Sequence, residues 1–149
     1  MTPLAEALMY DSYDLKRFVA AQQSIYERAL AELRNGRKQS HWMWFVFPQI
    51  AGLGHSDIAR RYAISCTDEA LAYLQHPLLG PRLEESAQAL LQHRDRTARQ
   101  ILGSPDDLKL RSSMTLFAAA APEREVFQQV LTTFYGGEAD RETLTRLRS

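Results

Sequence analysis

Hydrophobic residues recur every three or four positions over most of this chain, which is the spacing that lines one face of an amphipathic α-helix. The longest such stretch runs from Asp14 to Asn35. We expect Ser12 or Asp14 to cap its first turn, because short polar side chains accept hydrogen bonds from the free amide groups there. The following Gly36 is typical of a helix end. The pattern therefore predicts one long helix near the start of the chain.

Shorter helical patterns follow, and each is bounded by a capping residue, a proline or a glycine. They run from the cap Ser56 to about Ala63, from Thr67 to just before His76, from about Pro81 to His93, from the cap Ser104 through Phe117, from Ala121 or Pro122 to Gly136, and from the cap Asp140 through Leu147. The loops between them are short, and no internal repeat or linker interrupts them. We therefore predict an all-α protein, one irregular (orthogonal) domain of about seven helices. This domain covers residues 1–149, with residues 1–11 as a loose lead-in.

The segment 37–54 departs from the helical pattern. Polar residues 37–40 are followed by the aromatic run 41–47, and then by Pro48 and the turn 52–54. The aromatic run is compatible with a short buried helix or with a strand. Because Val46 is its only β-branched residue and no partner strand is visible elsewhere, we expect a short helix or an irregular buried segment.

Charge and composition exclude several classes of protein. The chain has 18 basic and 18 acidic residues, and no block of like charges. A nucleic-acid binder or a protein adsorbed to anionic membranes usually carries a basic excess, so we expect neither partner. The single Cys66 allows no internal disulfide, and neither a membrane-spanning run nor a leader pattern is present. We expect a cytoplasmic protein.

Five strings of residues are distinctive, in chain order GRKQSHWMWFVFPQ at 36–49, GLG at 52–54, YAI at 62–64, HPLLGPRL at 76–83 and DLKLRSSMTLF at 107–117. Together they resemble a bacterial family known as domain of unknown function 1810. The resemblance extends from Asp14 to Leu147. It implies an all-α fold of about this size, and it implies no established activity, substrate or catalytic residue.

The first candidate site lies in the segment 37–49, where positive charge and aromatic rings occur together. Its candidate ligand-binding residues are Arg37, Lys38, His41, Trp42, Trp44 and Gln49. Cationic side chains bind phosphate groups, and an indole stacks on a base or another flat ring. The alternative is that both tryptophans belong to the core and that Arg37 and Lys38 form a solvated helix end.

The second candidate site is the helix around Lys109. Ser112 and Ser113 follow Lys109 by three and four residues, so either hydroxyl can share a helix face with the lysine. Such a pair can bind a ligand or act as a nucleophile with its base. The alternative is structural, with each hydroxyl bonded back to a backbone carbonyl and the small side chains allowing close packing.

Other polar residues indicate no cofactor. The four histidines and Cys66 lack the spacing of metal ligands, and no dinucleotide-binding motif occurs, so we expect neither a metal nor another cofactor. We interpret Asp106 and Asp107 as helix-capping carboxylates. Only Lys16, Lys38 and Lys109 of the 18 basic residues are lysines, which reflects either genome composition or a chemical need for lysine at some of these positions.

These observations lead to two hypotheses from different classes. The first is a pocket protein for a small anionic ligand with a flat ring, such as a nucleotide or a metabolite derived from one. If it is an enzyme, hydrolysis or group transfer is favoured over redox chemistry, with His41 and Lys109 as candidate catalytic residues. The alternative is a protein-interaction module without chemistry, which predicts a large exposed apolar patch. The oligomeric state stays open.

Overall fold

Ten helices occur within residues 11–148, the part of the chain that the computed structural model describes. In chain order they are α1 (Lys16–Gln22), α2 (Tyr26–Arg34), α3 (Met43–Val46), α4 (Asp57–Arg61), α5 (Thr67–Gln75), α6 (Leu79–Leu91), α7 (Ala98–Leu102), α8 (Asp106–Ala120), α9 (Glu125–Tyr135) and α10 (Arg141–Leu147). Seven of them have seven residues or more and the described residues form no strand, so the all-α prediction is confirmed. The predicted lead-in lies outside the described residues, apart from Asp11.

The single long helix predicted over residues 14–35 is wrong, because the structure divides it into α1 and α2. The break follows Gln22, whose buried side-chain amide donates to the carbonyl of Phe45 at 2.7 Å and to the hydroxyl of Tyr73 at 3.2 Å. The amide of Ile25 bonds back to Gln22 in a tight turn. The apolar spacing continues through this turn, so periodicity alone does not reveal it.

The first turn of α1 is capped by Asp11, and the predicted caps Ser12 and Asp14 were wrong. The carboxylate of Asp11 accepts hydrogen bonds from the amides of Leu15 and Lys16, at 2.6 and 3.0 Å. The chain turns at Asp14, which has a φ of 55°. This turn brings the earlier aspartate, rather than the nearer polar residues, to the free amides.

Three other predicted helix boundaries are confirmed. Gly36 follows α2 with a φ of 73°. Ser56 accepts from the amide of Ala59 at 3.2 Å, and Asp140 accepts from the amide of Thr143 at 3.1 Å. Ser56 and Asp140 thus each use a short polar side chain to satisfy a free amide in the first turn of a helix.

Two predicted helix starts were wrong, and one helix was not predicted. Pro105, rather than Ser104, holds the N-cap position of α8, because its carbonyl accepts the amides of that first turn. Ala121 closes α8 instead of opening the next helix, and α9 begins beyond Pro122, at Glu125. The short helix α7 was missed, although Thr97 begins it with a complete capping box.

The core is organised around α8, which packs against α5, α7, α9 and α10. A row of aromatic rings crosses it. Ring centroids are 5.1 Å apart for Phe18 and Tyr73, 5.5 Å for Tyr73 and Phe117, and 5.7 Å for Phe117 and Phe127. All four side chains are fully buried. This packing holds α8 in place and, with it, the charged residues of its first turn.

A short backbone bridge positions the chain after α3. The amide of Ala51 donates to the carbonyl of Ile64 at 2.8 Å, and the amide of Ile64 donates to the carbonyl of Gln49 at 2.9 Å. The Arg17 guanidinium holds the second segment by donating to the Ala63 carbonyl and to Glu69, at 2.8 and 2.9 Å. None of the helices within residues 11–148 is long and apolar enough to span a membrane.

Candidate functional site

Two of the chain's lysines converge on one carboxylate. The ammonium nitrogen of Lys38 is 2.9 Å from Oδ2 of Asp106, and that of Lys109 is 3.6 Å from Oδ1 of the same residue. Asp106 and Lys109 belong to the first turn of α8, whereas Lys38 lies between α2 and α3. The two candidate segments of the sequence analysis therefore meet at Asp106. We call Lys38 and Lys109 the lysine pair, and Asp106 its counter-ion.

Exposure increases outwards through this cluster. The Lys38 side chain is 8% exposed, that of Asp106 18%, and that of Lys109 28%. Each ammonium has three N–H donors, and one carboxylate faces both of them. Two positive charges against one negative charge leave a local excess of one. The three side chains together therefore carry a net positive charge.

The Glu32 carboxylate holds the segment that carries Lys38. It accepts from the amides of Gln39 and Ser40 at 2.8 and 2.9 Å, from the Ser40 hydroxyl, and from Nε1 of Trp42 at 2.9 Å. Burial on its own raises the pKa of Glu32, but these hydrogen bonds outweigh it and lower the pKa to about 2. The amide of Lys38 also donates to the carbonyl of Ile101 at 2.7 Å. The segment is thus fixed at several points.

The two tryptophans have different environments. Trp42 is fully buried, with the Lys38 ammonium 5.1 Å from the centre of its ring. The structure offers no exposed face of Trp42 on which a ligand can stack, so its position matches the alternative interpretation as a core residue. Trp44 is half-buried, and the Lys109 ammonium lies 5.1 Å from the centre of its ring. Each lysine is therefore paired with one indole, in the range of a cation–π contact.

Trp44 and Gln49 border one narrow cleft. Gly52, Gly54 and Tyr62 also line it, and its volume is about 10 Å³. That volume accommodates about one water molecule. Gly52 has a φ of 98°, and the Arg146 guanidinium lies so close that a side chain at Gly52 would collide with it. A ligand larger than water therefore contacts Trp44 and Gln49 only at the mouth of this cleft, or after the turn 52–54 moves.

Arg37 and His41 lie at the surface on either side of Lys38 in the chain. Neither side chain makes a hydrogen bond or an ion pair within residues 11–148. Both are therefore available to a molecule in solution. Exposure of Arg37 is common to both interpretations given in the sequence analysis, a cationic site and a solvated helix end.

The side chains of Ser112 and Ser113, the two serines of the second candidate site, make no hydrogen bond with the lysine pair within the described residues. The Ser112 hydroxyl contacts the Leu108 carbonyl and Oδ2 of Asp140, both at 3.2 Å, so it joins α8 to the start of α10. This is the structural role that the sequence analysis gave as its alternative. Ser113 is fully buried, and its hydroxyl has no hydrogen-bond partner among the described residues. Neither of these two serines therefore forms an accessible pair with Lys109.

Sequence reasoning underestimated three residues. Asp106 was interpreted as a cap, but it is the carboxylate that joins both lysines. Glu32 and Arg146 were not singled out, because their partners are distant in sequence or lie across a turn. The scarcity of lysine was the one available signal, and it pointed at both members of the pair. The described residues bring together no group of three or more side chains suited to hold a metal ion.

The fold and this cluster define a small all-α protein with a lysine pair beside two tryptophans, where the α2–α3 segment meets the start of α8. The chain matches the family described as "Protein of unknown function (DUF1810)" over residues 12–147, and it belongs to that family. The resemblance inferred from the strings of residues is therefore confirmed. A search of the curated proteins found no match.

One solved structure is similar over nearly the full length of both chains. It is described as the conserved hypothetical protein Rv1873 from Mycobacterium tuberculosis, determined at 1.38 Å. It has 54% sequence identity and a TM-score of 0.91, and the match covers 93% of this chain and 99% of the other. The similarity supports the all-α fold, and neither description assigns an activity.

Proposed function

We propose that this chain binds a small anionic ligand with a flat ring, of the nucleotide class, at the surface around Lys38, Lys109 and Trp44. The observation that carries the proposal is the convergence of Lys38 and Lys109 on Asp106, beside the tryptophans. The ammonium groups would bind the anionic part of the ligand. Trp44 would contact the ring, with Gln49 at the mouth of the cleft.

Two exposed residues close to Lys38 in the sequence add to this support. Arg37 and His41 make no side-chain ion pair within residues 11–148, and we expect both to contact a phosphate that extends beyond the lysine pair. Arginine binds phosphate through two parallel N–H donors, which adds directional contacts to the charge of the lysines. The narrow cleft beside Trp44 limits how deeply a ring enters, so we expect an open site rather than an enclosed one.

The alternative hypothesis of an interaction module receives less support. It requires an exposed apolar patch of several hundred Å². Within the described residues, the exposed large hydrophobic side chains are Ile58 and Leu108, at 38% and 57%. These two side chains are too few for such a patch. The described surface therefore supports the anion-binding hypothesis more than the interaction hypothesis.

Catalysis is a separate proposal. His41 is the exposed side chain that we expect to move a proton if the bound ligand is hydrolysed. Its ring makes no hydrogen bond to a nucleophile or to an orienting carboxylate within residues 11–148. The geometry therefore supports binding more directly than turnover. Incubation with nucleotides, followed by chromatography of the products, tests this, and activity that His41→Ala leaves unchanged would exclude His41 from catalysis.

The binding proposal is tested by thermal unfolding with AMP, ADP, ATP, adenosine and inorganic pyrophosphate. A ligand at about 100 times its Kd adds about 2.7 kcal/mol of stability, which raises the Tm of a chain this long by roughly 5–10 °C. Lys38→Ala and Lys109→Ala should reduce that rise. Lys16→Ala is the matched control, because this lysine is 85% exposed and its one ion pair, with Asp14, is long at 4.0 Å.

Either of two outcomes would overturn the binding proposal. One is a panel without any rise in Tm. The other is a rise that the lysine pair variants and Lys16→Ala change to the same extent. Tryptophan fluorescence of the wild type provides an independent readout, because Trp44 is half-buried and Trp42, the other tryptophan of the sequence, is fully buried. Stacking of a nucleotide ring should quench that emission, whereas pyrophosphate alone should alter it less.

A further inference from the structure

Resting on that proposed function, we infer that Asp106 occupies the anion site of this protein as an internal ligand, and that a doubly charged phosphate group displaces it. The inference adds both the class of anion and the way in which access is regulated. It starts from the position of the Asp106 carboxylate, whose two oxygens each face a different ammonium group, at 2.9 and 3.6 Å.

The order of exposure indicates displacement rather than simple addition. Lys109 is the outermost of the three side chains, Asp106 is intermediate, and Lys38 is nine-tenths buried. An anion from solution reaches Lys109 directly. Because Lys38 is nine-tenths buried and its ammonium is 2.9 Å from the carboxylate, we expect an anion to reach it by taking the place of that carboxylate. A ligand that uses both lysines must therefore move Asp106.

The lysines retain donors for such a ligand. The Lys109 ammonium has no hydrogen-bond acceptor within the described residues, because its distance to Asp106 is too long for a hydrogen bond. Its other contact is with the face of Trp44. A phosphate group has more oxygens and more negative charge than a carboxylate, so it satisfies more of these donors.

Displacement leaves the aspartate in a favourable place. Asp106 is the first residue of the long helix α8, where the helix dipole stabilises negative charge. Rotation about its side-chain bonds turns the carboxylate towards solvent without moving the helix. Monovalent carboxylates gain little by exchange with a carboxylate that is already tethered at the site. The wild-type protein should therefore select phosphate over acetate.

Lysine side-chain NMR tests this in the native chain. Protein labelled with ¹³C in lysine gives three sets of Cε signals, one for each lysine in the sequence, and Lys→Arg variants assign them. We expect inorganic pyrophosphate to shift the signals of Lys38 and Lys109 while Lys16 stays unchanged. Acetate at equal ionic strength should shift neither. Equal responses of the wild-type protein to acetate and pyrophosphate would overturn the inference.

Asp106→Asn provides the second arm. Without the internal carboxylate, pyrophosphate should bind about tenfold tighter, equivalent to about 1.4 kcal/mol, and acetate should now shift both lysine signals. Asp95→Asn is the control for lost negative charge, because Asp95 is exposed and makes no hydrogen bond or ion pair within residues 11–148. Circular dichroism checks that each variant is folded. If Asp106→Asn does not fold, the comparison of acetate with pyrophosphate on the wild-type protein still tests the inference.

The outcomes separate this inference from the proposed function. Nucleotide binding that depends on Lys109 but weakens in Asp106→Asn would keep the proposed function and overturn the internal ligand. No lysine response to any anion, in the wild type or in Asp106→Asn, would overturn both. Tighter pyrophosphate binding in Asp106→Asn with lost selectivity against acetate would support both.

Discussion

Replacement of Glu32 by glutamine tests how the structure holds the segment that carries Lys38. The pKa of this carboxyl falls from 4.5 to about 2 on folding, because four hydrogen bonds favour its ionised form. A group whose pKa is lowered stabilises the fold at pH values above its unfolded pKa, and that stability is lost as the pH falls towards the folded pKa. The contribution at pH 7 is about 3 kcal/mol.

Urea unfolding at pH 7 and pH 3 measures this contribution. We expect Glu32→Gln to be less stable than the wild type by about 3 kcal/mol at pH 7, and by about 1.5 kcal/mol at pH 3, where part of the linkage is already lost. The amide of glutamine presents N–H donors to a site that supplies only donors. Loss of the Trp42 hydrogen bond should also alter the intrinsic fluorescence.

Glu27→Gln is the matched control, because Glu27 is an exposed carboxylate on the same helix. We expect it to change the unfolding free energy by less than about 0.5 kcal/mol at either pH. If Glu32→Gln is less stable than the wild type by the same amount at pH 7 and pH 3, the argument is refuted. Such a result would show that the pKa of Glu32 does not differ between the folded and unfolded states. A loss no larger than that of Glu27→Gln would refute it as well.

Three further predictions concern stability. Arg17→Ala should cost about 3–5 kcal/mol in urea unfolding, because it leaves the buried Glu69 without its ion pair, and a loss below about 1 kcal/mol would contradict this. Gly80→Ala should lower the Tm by several degrees, since a side chain there would collide with the Leu74 carbonyl, and an unchanged Tm would show that the helices separate easily. Burial lowers the pKa of His76, whose Nδ1 accepts two amides at 3.1 and 3.3 Å, so stability should fall as the pH drops below the unfolded value of 6.5. His76→Asn keeps an acceptor without titrating and should flatten that dependence between pH 7 and pH 5.

Local signals in the sequence were sufficient for the helices that begin and end on their own side chains. Ser56 and Asp140 cap their helices as predicted, and Gly36 closes α2. These contacts span only a few residues, so the sequence itself contains both partners of each interaction. The family and the all-α class follow from the same kind of information, because strings of residues and apolar spacing are local.

The tertiary structure alone decided where the chain breaks and which polar groups meet. The turn after Gln22 depends on the distant residues Phe45 and Tyr73, and it leaves the apolar period unchanged. The same holds for the candidate site. The sequence identified two cationic segments, whereas their union at Asp106 requires the packing of α8 and the Glu32 contacts that hold the α2–α3 segment.

The sequence by itself therefore determined the helical class, the family and several helix boundaries, and it supplied the candidate residues for an anion site. Burial decided how those residues are used, since it removed Trp42 and Ser113 from the surface while leaving Trp44 half-exposed. The physical reason is that spacing along a chain records which face of a helix is apolar, but not which other segment covers it. That choice is made by packing between residues far apart in sequence, and it is the packing that places two lysines against one aspartate.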